Sequence, residues 1–181
     1  MPGRPHLIPG LSAVPPARRL GSSWSRGVVA SAAACLVLAG CSSTITIDDH
    51  DLSDADRAAC EALVADLPGT LAGKDRVGVE PADALGAAWG GRASYVLTCG
   101  VPEPEDYEPT AECSVIEGVG WYVPDDQLTD PAEDATPVAL SRTPFVEVLV
   151  PAEHRTEGID RALAELAPVL EEHLGEGLSC L

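Results

Sequence analysis

Cysteine carries most of the reactive chemistry this chain offers, with six among 181 residues. Cys41 stands apart from the others. It follows Leu38, Ala39 and Gly40 at the end of an apolar run over residues 28–39. Arg4, Arg18, Arg19 and Arg26 precede that run, and no acidic residue occurs before Asp48. A positive stretch, a short apolar stretch and small residues before a cut are the parts of a secretory signal. The order Leu-Ala-Gly-Cys resembles a bacterial lipobox, in which the cysteine thiol takes up a diacylglycerol and becomes the new N-terminus. Residues 1–40 are therefore expected to be a lipoprotein signal peptide, with lipidation on Cys41. The fourteen residues 27–40 would rise only about 21 Å as a helix, short of a hydrocarbon core of about 30 Å. A retained membrane span is accordingly the weaker reading, as is cutting without lipid. Arg18-Arg19 raises the twin-arginine export route, but Leu20-Gly21-Ser22 continues it poorly. Cys35, inside the apolar run, reads as a small apolar residue. Two acyl chains, at about 0.8 kcal/mol per buried CH2, suffice for stable anchoring without a transmembrane helix. The expected location is the extracytoplasmic face of the cell membrane.

Four cysteines follow: Cys60, Cys99, Cys113 and Cys180. An even number in an oxidising compartment reads as two disulfides, for which three connectivities are open. No Cys-x-x-Cys occurs, which speaks against a zinc ribbon or a thioredoxin-like redox pair. There is no Gly-x-Ser-x-Gly elbow, phosphate loop, dinucleotide fingerprint or His-Glu-x-x-His. His50, His154 and His173 each stand outside any catalytic pattern. The cluster Asp48, Asp49, His50, Asp51, Asp54 and Asp56 suggests calcium. A loop starting at Asp49, however, would need glycine at its sixth place and glutamate at its twelfth, where Asp54 and Cys60 stand. No metal site, cofactor or catalytic residue is expected. Carboxylates are abundant enough that a wall-acting hydrolase with paired acids is the competing reading, and a weak cation-binding surface is a third.

All 29 acidic residues lie after residue 41, with seven of the eleven basic ones, so the 141 residues from Cys41 onward carry a net charge of −22. Such a surface repels nucleic acid and anionic headgroups. Lipid rather than charge would hold it at the membrane, with an envelope protein or wall component as partner and nucleic acid excluded. Trp89, Arg92, Trp121 and Tyr122 are the candidate binding residues, because aromatics are few here and tryptophan is enriched at hot spots. The alternative for both tryptophans is a place in the core.

One domain over residues 53–181 must position these groups, behind a flexible tether of residues 41–52 rich in Ser, Thr and Asp. Ser53 and Asp56 form a variant capping box, and Ala55, Ala59, Cys60, Leu63, Val64 and Leu67 fall at helical spacing up to Pro68-Gly69. A short strand is expected over residues 76–80, a helical turn over 83–89 and a firm strand over 93–99. Residues 100–110, with three prolines and four acids, form a loop. A hairpin follows over 113–123 about Glu117-Gly118, then an acidic loop over 124–135. Residues 136–140 and 144–150 make a second strand pair, in which Val146, Val148 and Val150 alternate with Glu147 and Leu149. Thr156 is expected to cap the last helix, Pro168 to kink or break it near Ala167, and Gly175 and Gly177 to end it. Cys180 then sits on a tail that would fray unless tied down. The order predicts an α+β fold: a two-layer sandwich with a mainly antiparallel sheet of four to five strands and two helices on one face.

Several stretches form an ordered set. They are Cys60-x-x-Leu63 with Leu67-Pro68, Ala88-Trp89-Gly90, Leu97-x-Cys99-Gly100-Val101-Pro102, Glu117-Gly118-Val119-x-Trp121-Tyr122, and the valine-rich strand ending Val150-Pro151. Together they resemble an uncharacterised family of actinobacterial secreted proteins and lipoproteins, the domain of unknown function numbered three-five-one-five. The resemblance spans about residues 60–174 and brings no established activity, hence no catalytic residue. It implies that Cys60 pairs with Cys99, since the family pattern contains cysteines at both places. Cys113 would then pair with Cys180.

Overall fold

The computed structural model describes residues 44–156 and 159–179. Residues 1–40, expected to be a signal peptide, and Cys41 and Cys180 lie outside the described residues. In chain order the elements are β1 (Ile45–Thr46), α1 (Asp54–Asp66), β2 (Thr70–Leu71), β3 (Lys74–Val77), β4 (Val79–Glu80), β5 (Gly86–Trp89) and β6 (Tyr95–Cys99). There follow β7 (Ser114–Ile116), β8 (Val119–Tyr122), α2 (Asp125–Thr129), β9 (Val138–Ala139), β10 (Arg142–Thr143), β11 (Val146–Leu149), α3 (Ala152–Arg155), α4 (Ile159–His173) and β12 (Gly175–Glu176).

The fold is α+β, but its sheet is larger than the four to five strands expected. Eight strands join in the order β2-β3-β5-β6-β11-β9-β8-β7, every neighbouring pair antiparallel. Two small pairings lie outside it: β1 with β4, parallel, and β10 with β12, antiparallel.

The first helix forms as its sequence dictates. Ser53 Oγ accepts the Asp56 backbone N–H at 3.2 Å and donates to Asp56 Oδ2 at 2.7 Å. This satisfies one orphan donor and places acid at the positive end of the helix. Cys60 and Leu63 face inward, fully buried. The hairpin of β7 and β8 turns at Glu117 and Gly118, whose φ of 46° and 82° are the paired positive values of a type I′ turn.

Residues 83–89 do not make the expected helical turn. Gly86–Trp89 is a strand paired with β3 on one side and β6 on the other, and all four of its residues are buried. Two alanines give helix propensity, but ladder bonds to two strands distant in sequence outweigh that weak preference. Thr156 is not the N-cap of the last helix either. It is the C-cap of α3, with helical φ and ψ of −69° and −20°, whereas an N-cap residue takes extended values. Nor is α4 broken at Pro168, since the helix runs on to His173. Pro168 is exposed, so the carbonyl it leaves unbonded faces the wet side, while Leu163, Leu166, Ala167 and Leu170 anchor the opposite face.

One core holds α1 and α4 against the sheet. Cys60 and Leu63 of α1 and Ala162, Leu163, Leu166 and Leu170 of α4 cluster with Trp89, Tyr95, Leu97, Cys99, Trp121, Val146 and Val148. His173 Nε2 lies 2.8 Å from Asp66 Oδ2 and ties the two helix ends together. Cys60 and Cys99 are joined by a disulfide with Cα atoms 5.7 Å apart, linking α1 to the central strand β6. Cys113 is disulfide-bonded too. The tail is held by its backbone: beyond the pairing of β12 with β10, Gly177 donates to Ser141 O at 2.9 Å and Leu178 to Leu140 O at 2.7 Å.

Candidate functional site

The sheet face turned away from α1 and α4 carries the alternate residues of β6 and β11: Val96, Thr98, Glu147 and Leu149, all half-buried. Glu147 stands opposite Thr98 on one side and Val138 on the other, so a carboxylate occupies the middle of the sheet.

The segment expected to be a flexible tether crosses this face instead. Ile45–Thr46 pairs with β4, and Ile47 donates to Glu80 O at 2.9 Å. Ile47 is 3% exposed. Two glycines make room for this strap. A Cβ on Gly86 would stand 2.8 Å from Ile47 Cδ1 and 2.2 Å from Leu97 O, and one on Gly100, at φ +88°, would stand 2.5 Å from Leu52 Cδ1. Glycine is required at Gly100 by its dihedral as well as by the leucine above it.

A loop over residues 101–107 forms the opposite wall. Tyr107 packs edge-on against Tyr122, ring centres 5.4 Å apart, and the Tyr122 hydroxyl donates to Asp106 O at 3.4 Å. Between strap and loop lies a cleft of about 510 Å³, with Thr98, Val138 and Glu147 among its lining residues. A second cleft of about 460 Å³ shares Thr46, Thr98 and Glu147 with it and is bordered by Arg92, Leu149 and Glu153. The two make one groove that meets at Glu147. Its far end is braced reciprocally. Asp134 Oδ1 accepts the Ala152 N–H at the start of α3 at 2.8 Å, and Arg155 donates to the carbonyls of Gln127 and Asp130 at the end of α2 and of Glu133 in the loop beyond it. The acidic loop expected over residues 124–135 thus contains a short helix held by a cation at its negative end.

Burial pushes the Glu147 carboxyl above the usual value of 4.5, and His50 pulls it the other way. Among the described residues no side chain hydrogen bonds or pairs with it. Burial, then the charges of Asp106, Asp125 and Asp126, push the Tyr122 hydroxyl up. The linkage sign for Glu147 is negative: a carboxyl whose folded value is raised binds more protons folded than unfolded, so stability falls as pH rises from about 4.5 through the raised value. Glu147→Gln is therefore expected to be more stable than the parent at neutral pH, with the difference closing in acid. Urea midpoints across that range check this, and a variant less stable at neutral pH would contradict it.

The residues picked from sequence separate into two groups. Trp89 and Trp121 are fully buried core residues. Tyr122 borders the first cleft and Arg92 the second. Of the acidic cluster, Asp48 and His50 line the groove, while Asp54 and Asp56 sit in the first turn of α1. Among the described residues no group of three or more His, Cys, Asp or Glu is arranged to hold a metal ion. His154 is stacked on Tyr95, ring centres 5.0 Å apart, with Nε2 3.0 Å from Ala93 O, a packed position rather than a cleft one. Glu147 was missed as a site residue. Its one sequence signature is a charge alternating with valines, which also describes any strand with a wet face.

Fold and groove together define a disulfide-bonded α+β domain with one strapped, groove-bearing sheet face. The chain belongs to the family described as "Protein of unknown function (DUF3515)", which matches residues 27–177. No curated protein and no solved structure matches it. Among the described residues no helix is long and apolar enough to cross a membrane.

Proposed function

We propose that this chain is a lipoprotein anchored through Cys41 at the extracytoplasmic face of the cell membrane, and that its folded part is a non-enzymatic binding domain whose ligand, an envelope protein or wall component, enters the groove over Glu147. The groove itself carries this reading: a concave surface with apolar walls and a few convergent polar groups is what a binding site requires. The family match begins ahead of the apolar run and its cysteine, which supports treating them as part of the protein's design. The disulfide of α1 with β6 suits an oxidising compartment. The competing hydrolase reading draws on the raised Glu147 carboxyl. It is disfavoured because the charge acting on that group is the His50 imidazole rather than a second carboxylate, and glycoside hydrolysis uses a pair.

Two measurements on intact cells test the proposal. Cys41→Ser should move the protein from the membrane fraction to the soluble one, and retention after high-salt washing would refute the anchor. A photo-crosslinking residue at Pro102, in the groove wall, should yield a discrete envelope adduct that one at exposed Glu61 on α1 does not. Equal labelling from both sites would remove the groove from the function.

A further inference from the structure

The middle of an eight-stranded sheet is an unfavourable place for a carboxylate. Glu147 is half-buried between Thr98 and Val138, and burying charge without a partner costs free energy. Natural sequences break such local rules mostly where a site is built. The groove around Glu147 is also one-sided in charge. Asp48, Glu103, Glu105 and Asp106 line the first cleft with it, and among the described residues His50 is the single basic side chain there, with no lysine or arginine taking part. Ile47, Val101, Pro102 and Val138 supply apolar walls. Thr46 and Thr98 stand where the two clefts meet, offering hydroxyls that both donate and accept. The second cleft brings a guanidinium, Arg92, which is exposed.

We propose that the groove binds an extended peptide by one cationic side chain of the lysine kind, whose ammonium seats on Glu147 while its aliphatic stem lies against the apolar wall. This deepens the binding reading above and rests on it. An ammonium on a four-carbon stem matches both halves of the first cleft, apolar sides and an acidic floor. It supplies a counter-charge in direct contact with Glu147, on which only the His50 imidazole acts among the described residues, and charge-assisted hydrogen bonds are the strong ones. A metal ion fits less well, since calcium takes six to eight oxygen ligands and the described carboxylates do not converge to that degree. The remaining peptide would run toward the second cleft, where Arg92 can meet a carboxylate.

The probe is the acetylated, amidated tripeptide Ala-Lys-Ala, titrated calorimetrically into the purified full chain in detergent. Its counterpart carrying Nε-acetyl-lysine keeps the stem and loses the charge. The expected result is saturable binding of the charged peptide, about tenfold weakened by acetylation and about tenfold weakened by Glu147→Gln. Glu61→Gln, an equal loss of charge on the exposed side of α1, should leave binding unchanged. Thermal unfolding of both variants verifies that each is folded. Equal binding of the two peptides, or of parent and Glu147→Gln, would overturn the proposal. Equal weakening by Glu61→Gln and Glu147→Gln would overturn it too, by showing a diffuse attraction to an acidic surface. Failure here with a groove-specific adduct at Pro102 would reject the cationic ligand and keep the groove as a binding site, whereas loss of both results would reject the site itself.

Discussion

Replacing Cys60 and Cys99 together by alanine is expected to remove about 4 kcal/mol of stability, the entropy that a cross-link closing a loop of about 40 residues takes from the unfolded chain. The two cysteines are 39 residues apart, and the loop they close contains β2 to β5 and most of β6. The bridge therefore closes over half of the large sheet, whose strands β3, β5 and β6 pair antiparallel in sequence. Both half-cystines are buried, at 0% and 2% exposure, so alanine also leaves unfilled volume beside Leu63 and Leu97. For a domain of this size the shift in melting temperature is about 10 °C or more. Denaturant unfolding of the double variant against the parent measures it. A loss below about 1 kcal/mol would mean that packing of α1 on β6 holds without the bond.

Trp89→Ala is expected to cost about 4 kcal/mol, the usual loss for a buried aromatic. Trp89 is fully buried at the end of β5, opposite Arg76 on one side and Tyr95 on the other. Its Nε1 donates to Pro68 O at 2.8 Å, closing the exit of α1 onto the sheet. Arg76 lies over its ring at 6.0 Å and donates to the carbonyls of Leu67 and Val64, so one side chain of β5 organises the helix end and the neighbouring strand together. A second substitution separates volume from hydrogen bonding. Trp89→Phe keeps most of the ring but strands the Pro68 carbonyl, at about 1–2 kcal/mol. Trp121→Phe removes an Nε1–H that has no partner among the described residues and should cost less. Matching losses at the two sites would show that the Pro68 contact contributes nothing.

Local chemistry made some of this legible in the sequence. Ser53 and Asp56 mark the start of α1 because a cap is satisfied within four residues, and Cys60 and Leu63 follow at one turn's spacing. Glu117-Gly118 marks a hairpin because few dipeptides tolerate two positive φ values. The alternation of Val146 and Val148 with Glu147 and Leu149 gives a strand with two unlike faces. What stayed hidden depends on partners far along the chain. Gly86-Ala87-Ala88-Trp89 has no strand signature of its own and becomes β5 because β3 and β6 flank it. Ile45-Thr46-Ile47 is too short to read as anything but a tether, and becomes a strap because Gly86 leaves room for Ile47 and Gly100 for Leu52 a few residues on. Glu147 reads as an ordinary solvent-facing residue until residues 44–52 and 101–107 rise on either side of it. The site is thus less legible than the fold, since three distant segments meet to make it.

The strap also fixes an altitude. Three residues separate Cys41 from Ile45, and at about 3.5 Å per residue the four steps reach no farther than about 14 Å. If Cys41 carries lipid as proposed, β1 would be moored that close to the headgroups, and the groove it borders would open near the bilayer. Anchored in that way, the domain would not swing out through the thickness of a cell wall to find a partner. Whatever it binds would then have to come down to the membrane surface, or already be travelling along it.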